Sequence, residues 1–504
     1  MARPGEARGL LGADGRATLA IVATKLLVCW VVLAAGFQAI SDDDFARVVI
    51  AQELVASPKL DPSGTSWLPF PFWLLGGVMA VAGRSFAVAR AVAVATAVAS
   101  AVLVYAAARW LDCDRRGALG GALLSCCIPY AAWLGVATVP EGLTAALIVF
   151  GAAAAARSKP WERFVGGIAL LVATLSRYEA WPVAIVFAGY AGWDAWQQRG
   201  VRHVLAGAVP VLGPAGWLLH GIVDHGDPLF FVARVSNYKA ALGGTPAPLL
   251  AALADYPLAL LRQEPELIAV TAILLGIALL TRTRPEPRRY GRLAWSLLAL
   301  LAFLVAGDLR NAAPTHHPER ALLSLWLAAA IWSGDIALHL WQQLSSWRRL
   351  AAGVTLAIGA ALGTFVIRAR PNHRQPFADR RDELALGTTC RQLASSNDRL
   401  LVDTPDYGFF AVIAGYRAPE RAGPVSDNDP RSEPRTDPFA TASRLRKRVR
   451  ETRASWLVTT AAHRAVAEQL GAVRAVQGDL VLVDVENSPE SNAKLSRPAH
   501  QRVR

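Results

Sequence analysis

Residues 86–108 read FAVARAVAVATAVASAVLVYAAA, a run whose charge is confined to Arg90 near its start. About 20 apolar residues in helical form cross the ~30 Å hydrocarbon layer of a bilayer. Blocks of the same kind recur at 205–223, 266–280 and 349–367. This pattern marks a polytopic membrane protein. The composition agrees, with 53% hydrophobic and 18% charged residues in a chain of 504, against about 25% charge in ordinary soluble proteins. The mean hydropathy is +0.31. Length alone would suggest about three soluble domains, but the placement of the apolar blocks overrides that count. Intrinsic disorder, a disulfide scaffold and a conventional soluble enzyme are excluded.

The formal charge of +13 would raise the question of nucleic acid on a soluble chain. Here much of the excess sits in short loops between apolar blocks, where Lys and Arg set orientation. No segment resembles a groove-reading or base-stacking module, so no nucleic-acid partner is expected. Of the five cysteines, Cys29, Cys126 and Cys127 lie in apolar runs, Cys113 in a short loop and Cys390 alone in the polar C-terminal region. No metal spacing or disulfide framework follows.

The run from Thr18 to Ile40 exceeds the ~7–15 residues of a signal-peptide core and is read as an uncleaved first span with a cytoplasmic N-terminus. Further spans are expected near 86–109, 117–136, 140–156, 163–177, 180–197, 203–222, 265–281, 291–307, 320–341 and 349–368, about eleven transmembrane helices in all. Arginines gather in the loops this places inside, as at Arg115/Arg116, Arg157/Arg163, Arg199/Arg202 and Arg282–Arg292. The outside loops are longer and sparser in basic residues, which supports an N-in, C-out topology.

The expected fold class is therefore an α-helical polytopic membrane protein with a small C-terminal soluble α/β domain. Residues 1–368 form the transmembrane domain, with outside loops 41–85, 223–264 and 308–319. Residues 369–486 form an extracytoplasmic α/β domain, and 487–504 a disordered tail. Strands are expected near Leu400–Asp403, Trp456–Val458 and Asp479–Asp484, and helices over 441–451 and 461–470. The segment 419–438, dense in Pro, Asp and Ser, reads as loop.

The sharpest chemical feature is Ser41-Asp42-Asp43-Asp44-Phe45-Ala46-Arg47, directly after the first span. Three adjacent carboxylates repel one another and contribute little to orientation. They suit either a helix N-terminus or a reacting centre. Neighbouring carboxylates raise one another's proton affinity or bind a divalent cation. Downstream, Gly64-Thr65-Ser66-Trp67-Leu68-Pro69-Phe70-Pro71-Phe72-Trp73 reads as a segment lying at the membrane interface.

The order of these features resembles the GT-C glycosyltransferase superfamily, membrane enzymes that use polyprenyl-phosphate sugars. The resemblance is strongest to the aminoarabinose-transferase-like and protein-O-mannosyltransferase-like branch. It rests on Asp42-Asp43-Asp44-Phe45 followed by Ile50-Ala51-Gln52-Glu53-Leu54, then Leu68-Pro69-Phe70-Pro71-Phe72-Trp73, then the helix from Arg90 to Tyr105 and Arg109. It spans about residues 17–200. One departure is that Ser66-Trp67 stands where aminoarabinose transferases carry a Glu-Lys pair, which leaves the metal and phosphate contacts of that pair without a counterpart.

The resemblance implies transfer of a sugar from a polyprenyl-phosphate donor to an extracytoplasmic lipid, glycan or protein acceptor, in the inner membrane of a bacterium. Inversion is expected, with a carboxylate of the acidic cluster as general base. Alternative registers select Asp42, Asp43 or Asp44, and Asp43 is favoured. Candidate contacts to the donor phosphate are Arg47, Arg177, His317 and Arg320. Arginine suits this role because its planar fork binds phosphate through two hydrogen bonds. Candidate substrate contacts are Glu141, Trp67, Tyr238 and Lys239. Each has a structural alternative: Glu141 as a helix-start charge after Pro140, and Arg177 as the partner of Glu179. Similarly, Asp224-His225-Gly226-Asp227-Pro228 reads as a turn, and Asp403–Gly408 as strand-to-helix punctuation. The only cofactor considered is a divalent cation, with no ligand set assigned. The competing reading is a lipid or solute transporter or flippase without covalent transfer, and a third is a non-catalytic envelope scaffold.

Overall fold

The structure, a computed structural model, describes residues 4–198, 200–281, 287–311, 319–349, 351–355, 377–426, 429–431 and 437–485. The expected tail and most of the last expected span lie outside these residues. The chain divides into two compact units. The first comprises Met1–Phe37, Ser63–Pro71 and Ala91–Pro376, and the second Gln38–Pro62, Phe72–Arg90 and Phe377–Arg504. The loop that follows the first span is thus compacted with the C-terminal residues.

Sixteen helices lead up to residue 343 among the described residues: α1 Pro4–Ala34, α2 Asp43–Ala56, α3 Phe70–Ala82, α4 Phe86–Trp110, α5 Arg115–Cys127, α6 Pro129–Leu134, α7 Glu141–Ala154, α8 Pro160–Thr174, α9 Ala180–Gln198, α10 Val201–Ala208, α11 Leu212–His220, α12 Phe230–Ala241, α13 Leu249–Gln263, α14 Pro265–Leu280, α15 Pro287–Leu309 and α16 Glu319–Gln343. Among the described residues, five stretches are long and apolar enough to cross a membrane: Asp14–Ala34, Phe86–Trp110, Val201–His225, Tyr290–Leu309 and Glu319–Gln343. A sixth is counted if α13 and α14, bent by 96°, form one span. The sequence reading expected about eleven; several of those runs are short or broken helices here, and the run 349–368 lies mostly outside the described residues. The run 117–136 divides into α5 and α6 because Pro129 cannot donate a helical hydrogen bond and its ring clashes with the preceding turn. Helices α7 and α8 stop at 14 and 15 residues. Leu27, Trp30 and Val31 of α1 are exposed, an apolar surface that hydrocarbon would cover.

Within the first unit α5 and α16 pack at glycines. A Cβ on Gly121 would lie 2.9 Å from the Ala330 carbonyl oxygen, and one on Gly334 would lie 2.3 Å from the Gly121 nitrogen. Small residues let helix backbones approach this closely, which is how helices associate when lipid competes for apolar surface. The arginines read above as orientation signals also tie helix ends together. Arg163 and Arg292 both bond the buried Asp194, and Arg157 joins Glu162 and Asp112 at 2.9 Å each.

One buried charge escaped the sequence reading. Lys25 is 4% exposed in the middle of α1, and its Nζ donates to the carbonyl of Ala131 at 2.9 Å. That carbonyl lies in the last turns of α6, which the break at Pro129 leaves as an isolated short helix. Ionisable groups inside a span are costly and normally mark function or an unsatisfied backbone group. Here Lys25 adds a second donor to a carbonyl that already accepts the Gly135 N–H at 3.1 Å, beside a crevice lined by Ser100, Ser125, Cys126 and Gly135.

In the second unit, the C-terminal part carries helices α17 Arg381–Leu393, α18 Phe409–Tyr416, α19 Ala442–Thr452 and α20 Arg464–Ala467. Its strands are β1 Leu400–Val402, β2 Ala422–Pro424, β3 Trp456–Thr460, β4 Gly471–Gln477 and β5 Leu480–Val485. The sheet order is β2-β1-β3-β5-β4, with β2-β1-β3 parallel and β3-β5-β4 antiparallel. Strands β1, β3 and β5 match the expected runs, all rich in buried Val and Leu as half-buried pleats favour. Strand β2 lies in the segment read as loop, and β4 was not anticipated because its polar residues Arg474 and Gln477 dilute the pattern.

Replacing Gly121 by Val should force α5 and α16 apart. The expected cost is about 1–3 kcal/mol, seen as a lower melting temperature of the detergent-solubilised protein, with Gly121→Ala intermediate.

Candidate active site

The acidic turn belongs to the second unit, where Asp42 caps α2 and Asp43 and Asp44 form its first turn. The three carboxylates have different surroundings. Asp44 is fully buried, and its Oδ2 accepts the backbone N–H of Ile40 at 3.2 Å and of Ser41 at 3.4 Å. Arg90, which also donates to the Gln38 carbonyl, feels the charge of Asp44. Asp42 is bound through both oxygens to Arg380, at 2.9 and 3.1 Å. Arg380 also donates to Glu383 at 3.0 Å, and the hydrogen bonds to Asp42 hold its pKa above the ordinary value despite partial burial. Asp43, half-buried, lies between these two anchored neighbours. Arg47 is buried one turn further on, its guanidinium 5.7 Å from the centre of the Phe72 ring.

The same segment is fixed along its length. Gln52, fully buried, donates to the carbonyls of Arg84 at 3.0 Å and Ala414 at 2.9 Å, and Arg84 pairs with Glu420 at 3.0 Å. Phe45 stacks on Phe86 at 5.2 Å, and Phe45, Ala39 and Ala411 share a core.

In the first unit a second charged cluster gathers Glu141, Arg177, Glu179, Glu319 and Arg320, each of which is either buried or nearly so. Arg177 donates to Glu141 at 2.5 Å and also to Glu179. Arg320 lies 3.8 Å from the same Glu141 oxygen. Burial by itself would lower the Arg177 pKa, but the charges of Glu179 and Glu141 outweigh it and hold it above the usual value. The pairing of Arg177 with Glu179, weighed from sequence as a local contact, is present together with a link 36 residues away in the chain. Glu141 opens α7, as its structural reading has it, and it meets Arg177 from the loop before α9 and Arg320 from α16.

Around this cluster is an aromatic wall that sequence reasoning missed. The Tyr178 hydroxyl donates to the Ser66 carbonyl at 2.8 Å and accepts the Trp217 indole N–H at 3.0 Å. Tyr178 stacks on Phe231 at 4.4 Å, and Trp181 meets Phe231 edge-on at 5.5 Å. The half-buried Trp67 lies in the loop this wall supports, held by Ser63 and Thr65. These aromatics come from four separate stretches, so no local pattern announces them.

Tyr238 and Lys239 lie on α12. Lys239 approaches Asp308 at 3.9 Å; burial lowers its pKa and Asp308 opposes that shift. The turn at Asp227 bears out the structural reading, since its side chain accepts the Leu229 N–H at 2.8 Å. His317 lies outside the described residues. In the C-terminal sheet, Asp403 at the end of β1 accepts from Thr459 at 2.6 Å and pairs with His463 at 2.8 Å. Any cation held by all three acidic-turn carboxylates would have to compete with Arg380 and with two backbone amides.

Residues 63–216 match the sequence family described as dolichyl-phosphate-mannose-protein mannosyltransferase. No curated protein matches the chain. Among solved structures, ArnT from Cupriavidus metallidurans bound to undecaprenyl phosphate superposes with a TM-score of 0.61 at 14% identity, covering 92% of this chain and 97% of that one. Its apo form gives 0.57 at 15% identity, over 94% and 98%. The archaeal oligosaccharyltransferase AglB from Archaeoglobus fulgidus, in complex with an inhibitory peptide and a dolichol-phosphate, gives 0.51 at 14% identity, over 89% and 70%. The fold expected from sequence is thus the one observed: a GT-C-type helical membrane protein with a small C-terminal sheet.

Replacing Asp44 by Ala should strip the buried Ile40 amide and the half-buried Ser41 amide of their acceptor. Each unsatisfied group costs about 1–3 kcal/mol, so the melting temperature should fall clearly. An unchanged value would show that the turn does not depend on this carboxylate.

Proposed function

We propose that this chain, which has the GT-C fold, is an integral membrane glycosyltransferase. It moves a sugar from a polyprenyl-phosphate donor to an extracytoplasmic acceptor with inversion at the anomeric carbon. The observation that carries this reading is the acidic turn at the start of α2. Asp42 and Asp44 are engaged by Arg380 and by backbone amides, and Asp43 stands between them at the helix start.

In the proposed reaction the acceptor hydroxyl or amine attacks the anomeric carbon while Asp43 takes its proton. The bond from that carbon to the phosphate oxygen breaks, and polyprenyl phosphate leaves from the opposite face. General-base assistance of this kind contributes about 10²–10⁴-fold. The leaving phosphate gains negative charge and needs cationic neighbours in a medium of low dielectric constant. The candidates for this role are Arg47, His317, Arg320 and Arg177. Glu141 and Glu179 keep Arg177 charged and oriented. Trp67, Tyr238 and Lys239 are assigned to substrate contacts. The C-terminal domain, residues 369–486, faces the periplasm in this reading, and 1–368 holds the lipid-linked donor.

The test is a transfer assay on purified protein in nanodiscs. Radiolabelled polyprenyl-phosphate mannose, glucose, galactose or aminoarabinose is supplied with cell-envelope extract, with and without EDTA. Label should reach an acceptor with the wild type, and Asp43→Asn should lose at least ~100-fold in rate while keeping its melting temperature and its binding of polyprenyl phosphate. Arg177→Lys keeps the charge but not the fork, and should raise the donor KM about tenfold. Donor lipid moved across sealed vesicles without covalent transfer would instead support a flippase.

A further inference from the structure

The second unit contains an arginine that ties the acidic turn to the C-terminal residues. Arg380 lies 338 residues from Asp42 in sequence and grips both of its carboxylate oxygens. Its third bond goes to Glu383, one turn along α17. Gly408, the residue before α18, makes the space for this arrangement. A Cβ there would meet Arg380 Nη1 at 3.1 Å, Glu383 Oε1 at 3.2 Å and the Thr404 hydroxyl at 3.3 Å. The guanidinium is thus held from one side by Asp42, from another by Glu383, and backed by the loop that leaves β1.

We infer that Arg380 is a positioning residue for the acidic turn: the C-terminal region reaches back to fix the cap of α2 and so sets where Asp43 points. This rests on the proposed role of Asp43. The geometry favours positioning over a general structural tie for two reasons. A two-point guanidinium–carboxylate bond fixes orientation as well as distance, and it acts on the residue immediately before Asp43. The other ties along this segment, Gln52 to Ala414 and Arg84 to Glu420, act two or more helical turns away or beyond α2. A second consequence concerns charge. Arg380 neutralises one of three adjacent carboxylates, and without it the turn would carry an additional uncompensated negative charge beside the reacting group.

The test compares Arg380→Ala, Arg380→Lys and Glu420→Ala in the nanodisc transfer assay, with Asp43→Asn as reference. Misplacing a reacting group by about 1 Å can cost ~10²-fold. Arg380→Ala should therefore lower kcat at least tenfold with little change in donor KM, and Arg380→Lys should recover part of the loss. Glu420→Ala, which cuts another tie in the same unit, should stay within about twofold of wild type. Should Arg380→Ala fail to fold, the double variant Asp42→Asn/Arg380→Gln, which keeps a neutral hydrogen-bonding pair, is measured. It should regain folding with kcat above that of Asp42→Asn alone. Normal kcat in Arg380→Ala, or an equal loss in Glu420→Ala, would overturn the inference. If Asp43→Asn transfers sugar as well as wild type, the proposed function fails and not merely the positioning role.

Discussion

Hydrocarbon offers a polypeptide no hydrogen-bonding partners, and most features of the first unit follow from this. Each apolar stretch must satisfy its own backbone, so it forms helix. Where a helix breaks, something else must serve the freed groups. After the break at Ile128–Pro129, the backbone N–H groups of Gly135, Val136 and Ala137 close the end of α6, and Lys25 adds a side-chain donor to the Ala131 carbonyl. The same constraint explains why α5 and α16 meet through Gly121 and Gly334: with no hydrophobic drive between helices in lipid, close backbone approach and dispersion must hold them.

Charge is handled by pairing in both units, with different consequences. Burying an ion pair seldom adds net stability, but breaking one is costly because the survivor is left uncompensated. The Glu141–Arg177–Glu179 group is therefore weak evidence for stability and better evidence for a preset environment: its arginine is kept cationic and oriented before any ligand arrives. The acidic turn is similar in kind. Asp44 spends its carboxylate on backbone amides and Asp42 on Arg380, so two residues of identical type acquire different partners from their surroundings alone.

The C-terminal sheet combines a parallel half, β2-β1-β3, with an antiparallel edge, β3-β5-β4. Its core joins Leu401, Leu457, Val481 and Val483 with Leu445 and Val449 of α19. The loops at the ends of β1 and β3 carry the Asp403–His463 pair, and the loop after β1 carries Gly408, against which Arg380 lies. The C-terminal part of the second unit thereby supplies a residue to a turn encoded at the other end of the chain.

The sequence by itself determined the membrane class, the first span, the acidic turn and the strands β1, β3 and β5, because these depend on local composition and periodicity. It also pointed to Glu141, Arg177 and Arg320, since charges at the ends of apolar runs stand out against their surroundings. Tertiary structure alone decided which of these charges meet. The bond from Arg380 to Asp42, the approach of Arg320 to Glu141 and the wall of Tyr178, Trp181, Trp217 and Phe231 join residues far apart in the chain. Their contact depends on how helices pack and not on any local pattern. Helix continuity is decided in a related way: hydropathy measures how apolar a run is, but a proline inside it, as at 129, decides whether the helix continues.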